Sequence, residues 1–210
     1  MSGANIAAKV NLGLRKAAAK VGYPVKLYRP DHYFNPLDDR NFVETLMTAW
    51  SVDDGFQKNP VAELDYYKLF VPADSVQPGD FIMSEDQGKT FVVTEVQPMR
   101  APAGILVNDR VTVLRTENTP DQDVKTQLVP YFTQLPCAVK WSSTSNNQGL
   151  SPVSTMRGGQ SQVEVWTWVT PGTIRLGDVL EINDLRFVVS SCQSTSKGTK
   201  INGISTVAGK

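Results

Sequence analysis

Two stretches decide the reading of this chain: GDFIMSEDQGKTFVVTEVQ, Gly79 to Gln97, and GDVLEINDLRFVVSSCQ, Gly177 to Gln193. Each follows a proline, Pro72 or Pro171, and runs Gly-Asp, two apolar residues, an Asp six positions beyond the first, then Phe-Val-Val and a Gln. The interval from Gly-Asp to Phe-Val-Val is two residues longer in the first copy, which an insertion at Gln87-Gly88 absorbs if a turn lies there. Gly-Asp supplies a turn, the apolar pair opens a strand, and the second Asp marks where that strand reverses. Each copy is predicted to be a β-hairpin with flanking strands.

Outward from the hairpins, Tyr66 to Val71 and Val163 to Val169 are strand candidates ahead of them, and Ile105 to Arg115 is one behind the first. Along Val163 to Val169, valines and Thr167 alternate with Glu164, Trp166 and Trp168, so the two indoles are expected to cover core or a partner. Between Asn5 and Val21, the apolar residues Ile6, Val10, Leu14, Ala17 and Val21 recur at helical steps, with Lys9, Lys16 and Lys20 mostly on the other side. Gly22, by permitting a left-handed cap, and Pro24, by refusing the next backbone bond, are expected to end this amphipathic helix. Its narrow, alanine-rich face suits packing on its own domain or docking on another subunit.

Tyr23 to Val61, divided by Pro24, Pro30, Pro36 and Pro60, reads as an ordered but irregular arm, with Val43 to Trp50 open to a strand or a short helical turn. Asp121 to Thr126 and the Ser-, Asn- and Gly-rich Ser142 to Gly159 read as loops, and Ser194 to Lys210 as a weaker strand with a frayed tail. The predicted fold class is mainly β. It comprises an N-terminal amphipathic helix (1–22), an irregular arm (23–61), a first β module (62–118), a connecting segment with a flexible loop (119–162) and a second, similar module (163–210).

The 210 residues have the length for one large or two small domains, and 40% apolar with 20% charged residues is the balance of a folded chain. No run nears the roughly 20 apolar residues of a bilayer span, and the N-terminus lacks the pattern of a cleaved signal, so neither secretion nor membrane insertion is expected. A net charge of zero argues against nucleic-acid binding by the molecule as a whole, but the charge is unevenly placed. Residues 1–30 hold Lys9, Arg15, Lys16, Lys20, Lys26 and Arg29 and no acid; the remainder holds 15 bases against 21 acids, leaving −6.

The order of several short motifs carries a resemblance. Leu27-Tyr28-Arg29-Pro30 follows an alanine-rich helix, then come Gly79-Asp80, Phe91-Val92-Val93 leading to Gln97-Pro98, and the Val111-to-Arg115 strand. Leu135-Pro136, Trp166 to Val169, Gly177-Asp178 and Phe187-Val188-Val189 complete the series. In this order, over most of its length, the chain resembles a family of tailed-bacteriophage and prophage virion structural proteins. It departs from the family at Pro98-Met99-Arg100-Ala101-Pro102, which is more polar than the family's apolar, proline-rich turn. The resemblance implies a neck or tail component, such as a head-to-tail adaptor, a collar protein or a fibre-anchoring protein, built into a homo-oligomeric ring. It also implies contacts with other virion proteins such as portal, tail tube or tail fibre, and assembly in the bacterial host cytoplasm. The basic N-terminal segment would then lie against an acidic neighbour or near packaged DNA.

Candidates for chemistry are few. His32 is the only histidine, so a Ser-His-Asp or Cys-His site would have to use it, and Arg29-Pro30-Asp31-His32-Tyr33 offers no nucleophile. Asp38-Asp39 and Asp53-Asp54 lack the Asp-x-Asp-x-Asp-Gly series of a calcium loop and read as turn acids. Asp80 and Asp178 invite comparison with the paired carboxylates of glycosidases, but equivalent turns in two modules explain them without chemistry. Gly158-Gly159 lacks the lysine of a phosphate loop and reads as a hinge.

Cys137 and Cys192 have no CxxC partner and a lone histidine does not complete a zinc site, so buried free thiols are expected, with a disulfide as the alternative. Trp141, Trp166, Trp168 and Tyr131 could line a sugar-binding surface. That sustains an alternative function, a carbohydrate-recognition module of a receptor-binding tail part, beside the plainer reading of core or subunit-interface aromatics. No catalytic, cofactor-binding or metal-binding residue is assigned, no cofactor is expected, and the expected mode of action is subunit association.

Overall fold

The computed structural model describes residues 3–30, 35–52, 66–117, 127–143, 161–195 and 198–205. These form a helix, α1 (Gly3–Val21), and the strands β1 (Tyr23–Tyr28), β2 (Phe42–Val52), β3 (Tyr66–Phe70), β4 (Phe81–Ser84), β5 (Lys89–Glu95) and β6 (Ala103–Val107). The chain continues through β7 (Asp109–Glu117), β8 (Gln127–Ser143), β9 (Ser161–Thr167), β10 (Val179–Ile182), β11 (Leu185–Thr195) and β12 (Gly198–Ser205).

Both hairpins expected from the repeat are present. β4 pairs with β5 from Phe81↔Val92 to Ser84↔Lys89, and β10 with β11 from Val179↔Val188 to Ile182↔Leu185. The four residues Glu85 to Gly88 close the first and the two residues Asn183-Asp184 the second, which accounts for the whole difference in length between the copies. Asn183 and Asp184 both take positive φ, 49° and 64°, as a two-residue turn requires if its twist is to match the strands it joins.

The repeat extends beyond the hairpins to two closed barrels of the same winding. Strand order is β1-β2-β3-β6-β5-β4 in one and β7-β8-β9-β12-β11-β10 in the other. Each is shut where its fourth strand pairs with its first, through Lys26↔Met83 to Tyr28↔Phe81 in one barrel and Val179↔Leu114 to Glu181↔Thr112 in the other. Closure leaves no strand edge open for further pairing. Val25, Leu27, Leu69, Val71, Ile82, Phe91 and Val93 fill the first barrel, and Val111, Leu135, Val165, Leu180, Ile182, Phe187 and Ile201 are among the buried side chains of the second. Branched and aromatic residues of this kind suit the inward positions of a pleated wall.

The structure redraws the expected boundaries. The arm expected at 23–61 supplies β1 and β2, so the first module begins far ahead of residue 62. Pro24 is tolerated because it stands near the start of β1, where a missing backbone donor matters least. Ile105 to Arg115 is not one strand: β6 ends at Val107, β7 begins at Asp109, and the chain divides into compact units after Asn108. The expected connecting segment 119–162 contributes the 17-residue β8, whose pairing with β7 shifts register between Val111 and Val113, beside Gln134 at φ 56°. That is a bulge, which lets a long strand bend around a barrel. The expected loop at Asp121 to Thr126 lies outside the described residues, as does residue 144 onward of the second loop and the tail after Ser205.

α1 packs on β2 and β3 of its own barrel, burying Leu14 and Ala18. Ala73 N–H donates to Asn11 Oδ1 at 3.2 Å, and Arg15 pairs with Asp74 at 3.2 Å. Ile6 and Val21, expected on the packed face, are exposed, since a straight helix meets a curved wall over only part of its length. Gly22 is not a left-handed cap. A Cβ there would run into the Ala18 carbonyl oxygen and the Thr48 backbone, so the glycine permits close approach instead. No helix among the described residues is long and apolar enough to cross a membrane.

Candidate functional site

Each Gly-Asp turn builds the same polar cluster. Gly79 and Gly177, at φ 96° and 87°, occupy backbone that an L side chain disfavours, and the turn carries the next residue's carboxylate inward. Phe-Val-Val holds that turn in place. Gly79 N–H donates to the Val93 carbonyl at 2.8 Å and Val93 N–H returns a bond to the Asp80 carbonyl at 2.8 Å. Gly177, Val189 and Asp178 repeat the exchange at 3.1 and 2.8 Å.

Each buried carboxylate meets a fork of donors. Arg29 donates through Nε to Asp80 Oδ1 at 2.9 Å and through Nη2 to Oδ2 at 2.7 Å, while Gln77 N–H donates to Oδ2 at 2.9 Å. Arg115 donates to Asp178 at the same two distances, 2.9 and 2.7 Å, with Arg175 N–H at 2.8 Å. Bidentate, charge-assisted pairs of this kind are among the stronger polar contacts a protein makes. The hydrogen bond to its aspartate raises the pKa of each arginine despite partial burial.

The position of the pairs gives their role. Arg29 directly follows β1 and Arg115 lies in β7, the first strand of each barrel, whereas each aspartate immediately precedes the fourth strand. The ion pair therefore fastens the seam at which the barrel closes. Both oxygens of each carboxylate are engaged and Asp80 and Asp178 are nearly sealed from solvent, so the two act as locks, each facing its own arginine. Sequence reasoning did not join either arginine to its Gly-Asp turn. The available signal was an arginine at the end of the first strand of each module, and it was hidden once the first module was started at residue 62.

The other candidates are scattered. Asp38 caps a short 3-10 turn at Asp39–Asn41 and pairs with Arg40 at 3.0 Å, whose guanidinium lowers its pKa. His32, Asp53-Asp54 and Gly158-Gly159 lie outside the described residues. Cys137 and Cys192 are free thiols, the first buried and the second half-buried, and burial pushes both pKa values up. Among the described residues no group of three or more His, Cys, Asp or Glu is placed to hold a metal ion.

The four aromatics do not form one platform. Trp141 pairs with Val163 across β8 and β9, so it shares that residue's face, whereas Trp166, three residues on, points to the other. Trp141 packs edge-on against Phe187 and remains half-exposed; Trp166 is buried, and Trp168 is half-buried. Burial pushes the Glu164 carboxyl up, but the Lys200 ammonium at 2.7 Å and the Trp166 indole N–H at 2.6 Å outweigh it and hold its pKa low. Tyr131 lies over the Arg115 guanidinium, 4.0 Å from ring centroid to Cζ. In the first barrel, an open hollow of about 480 Å³ beside α1 is walled by Val21, Tyr23, Trp50, Phe70 and Lys89. The Lys89 ammonium already sits over Trp50 at 5.6 Å, which makes this wall a packed aromatic cluster. Comparison of the chain with protein-family models, with curated proteins and with solved structures returned no match.

Proposed function

We propose that the protein is a structural component of a tailed-phage particle, a neck or tail part of the head-to-tail adaptor, collar or fibre-anchoring kind, and that it acts by subunit association. The observation that carries this reading is a duplicated barrel whose shared polar motif is consumed by an internal lock while large apolar side chains are left outside. Phe42, Val43, Met47 and Val52 of β2, and Trp141, Leu176 and Leu185 of the second barrel, stand exposed. Apolar surface on a rigid scaffold gains about 25 cal/mol per Å² when a partner covers it, which favours contact-making over solitary existence. The ordered series of motifs that resembles phage virion proteins supplies the setting. In that setting the chain resides in the virion after assembly in the host cytoplasm, in a ring of its own copies against portal, tail-tube or tail-fibre subunits.

Mass photometry of the purified chain, alone and mixed with candidate portal, tail-tube or tail-fibre subunits, tests the reading. A ring, or a complex formed with one of those subunits, is the expected result. A chain that ignores all of them and is instead retained by a glycan array would move the assignment to a carbohydrate-recognition module of a receptor-binding tail part.

A further inference from the structure

The two copies differ at one end of their barrels. Strand pairing matches the inward positions there: Tyr23↔Thr48 corresponds to Asp109↔Cys137, Trp50↔Leu69 to Val139↔Val165, and Ser84↔Lys89 to Ile182↔Leu185. Where the second barrel holds Cys137, Val139, Ile182 and Leu185, the first therefore holds Thr48, Trp50, Ser84 and Lys89. Val163 of the second likewise has Tyr67 as its counterpart. The four positions of the first barrel share its inward face. Leu46 and Trp50 pack against the core with Thr48 between them, and Ser84 and Lys89 are two residues from the core positions Ile82 and Phe91. An end that is apolar in one copy is polar and aromatic in the other.

That end is not built as core. Thr48 and Ser84 are fully buried, and neither hydroxyl has a hydrogen-bond partner among the described residues. Lys89 has no ion-pair partner among them; its ammonium lies over the rings of Trp50 at 5.6 Å and Tyr67 at 6.0 Å. Buried polar groups left unmatched cost stability, and the second barrel shows that the fold closes without them. The other features peculiar to the first copy meet at the same place. The hollow of about 480 Å³ is walled by Ala17 and Val21 of α1, by Trp50 and Lys89, and by Gln87 of the longer β4–β5 turn. Among the described residues the second barrel has neither the helix nor the longer turn. Helix, turn and polar replacements thus border one space. Glu85 of the turn is paired with Lys26 at 2.6 Å and Asp86 is exposed, so the charge on the wall of the hollow is that of Lys89.

We infer that this hollow is a binding site for an organic carboxylate with an aromatic or aliphatic body. The carboxylate pairs with the Lys89 ammonium beside the Gln87 amide, and the body lies against Val21, Tyr23 and Trp50. A cation already held over two rings is oriented in advance, so less side-chain freedom is lost on binding. The C-terminal residue of a peptide and a free small acid share this chemistry. The site is independent of the assembly role: a chain can bind the acid and stay monomeric, or assemble and ignore it.

Ligand-observed saturation-transfer NMR on the full chain, which reads weak binding in any oligomeric state, tests the site with phenylpropionate, N-acetylphenylalanine, the neutral amide of the latter, and glucuronate. Both aromatic acids are expected to bind with dissociation constants of about 1 mM or tighter, and the amide at least ~10-fold more weakly. Lys89→Leu, which gives the first barrel the residue type of the second, is expected to abolish the preference for acid over amide, and Lys89→Arg to keep it. Trp50→Val is expected to weaken acids and amide alike, whereas Trp141→Leu in the second barrel leaves all of them unchanged. Circular dichroism confirms that each variant is folded. N-acetylphenylalanine binding ~10-fold tighter than phenylpropionate would assign the site to a peptide C-terminus, and parity would assign it to free acids. The inference is overturned if acid and amide bind equally, if Lys89→Leu leaves acid binding intact, or if glucuronate binds best. Absence of saturation transfer to every probe at about 10 mM would overturn it too, with the assembly role untouched.

Discussion

The two barrels carry the same lock at the same seam but enclose it differently. In the first, the Arg29 side chain is 36% exposed and its Nη2 lies 3.4 Å from the Ser75 carbonyl. In the second, the Arg115 side chain is 17% exposed, its Nη2 lies 2.6 Å from the Thr173 carbonyl, and Tyr131 covers it. Winding, turn and ion pair are duplicated, whereas desolvation of the arginine is not. A guanidinium withdrawn from water gains more from its carboxylate and from an aromatic face, and loses more when either is removed.

The largest expected effect follows from that difference. Asp178→Ala leaves Arg115 stranded beneath Tyr131 with the Arg175 N–H unmatched, and should cost about 3–5 kcal/mol. Asp80→Ala also orphans a backbone donor, Gln77 N–H, but Arg29 can turn to solvent, so about 1–3 kcal/mol is expected. Urea denaturation gives the size of each loss, and hydrogen exchange read by peptide shows which barrel opens. Equal losses would mean that the Tyr131 cover is energetically idle. Tyr131→Leu sharpens the point, since it should bring the cost of Asp178→Ala down toward that of Asp80→Ala.

A second comparison lies inside the walls. A Cβ on Gly203 would sit 2.8 Å from Phe187 Cβ and 2.9 Å from Val163 Cγ1; one on Gly104 would sit 2.9 Å from Leu69 Cδ1 and 3.0 Å from the Val92 carbonyl oxygen. Phe187 Cβ at 2.8 Å is fixed by its backbone, while the tightest contact of Gly104 is the end of the Leu69 side chain and its fixed one, the Val92 carbonyl oxygen, is 3.0 Å away. Gly203→Ala should therefore cost about 2–3 kcal/mol and Gly104→Ala about 1–2 kcal/mol, read as shifts in denaturation midpoint. The reverse order would place the slack in the second barrel.

The hairpins were legible because their signals are local: a Gly-Asp turn, alternation, and a second turn within 20 residues. Barrel closure was not, since Lys26 to Tyr28 meet Met83 to Phe81 only after more than fifty intervening residues. The locks share that distance. Arg29 and Asp80 are 51 positions apart and Arg115 and Asp178 are 63, so nothing local joins them. Proline misled as well: Pro24 reads as a break that ends the helix and divides an irregular arm, although it occupies β1 of a closed barrel, paired with Met47. The helix was recognised from its period, but which apolar residues it would bury depended on the curvature of a wall that the periodicity does not encode.

The smallest expected effect concerns the turns that differ between the copies. Gly88 takes φ 58° in open space, so Gly88→Ala meets no clash and only backbone strain, about 1 kcal/mol. Asp184 already holds φ 64° with a side chain, a conformation Asp tolerates better than Ala, so Asp184→Ala should cost only about 0.5 kcal/mol and Asp184→Gly should stabilise slightly. Denaturation midpoints of the three variants give the order. If Asp184→Gly destabilised the second barrel, the aspartate would have a task beyond tolerating the turn. The two-residue turn would then be held through Asp184 as well as through Asn183, whose Nδ2 donates to Asp109 Oδ2 at 2.8 Å.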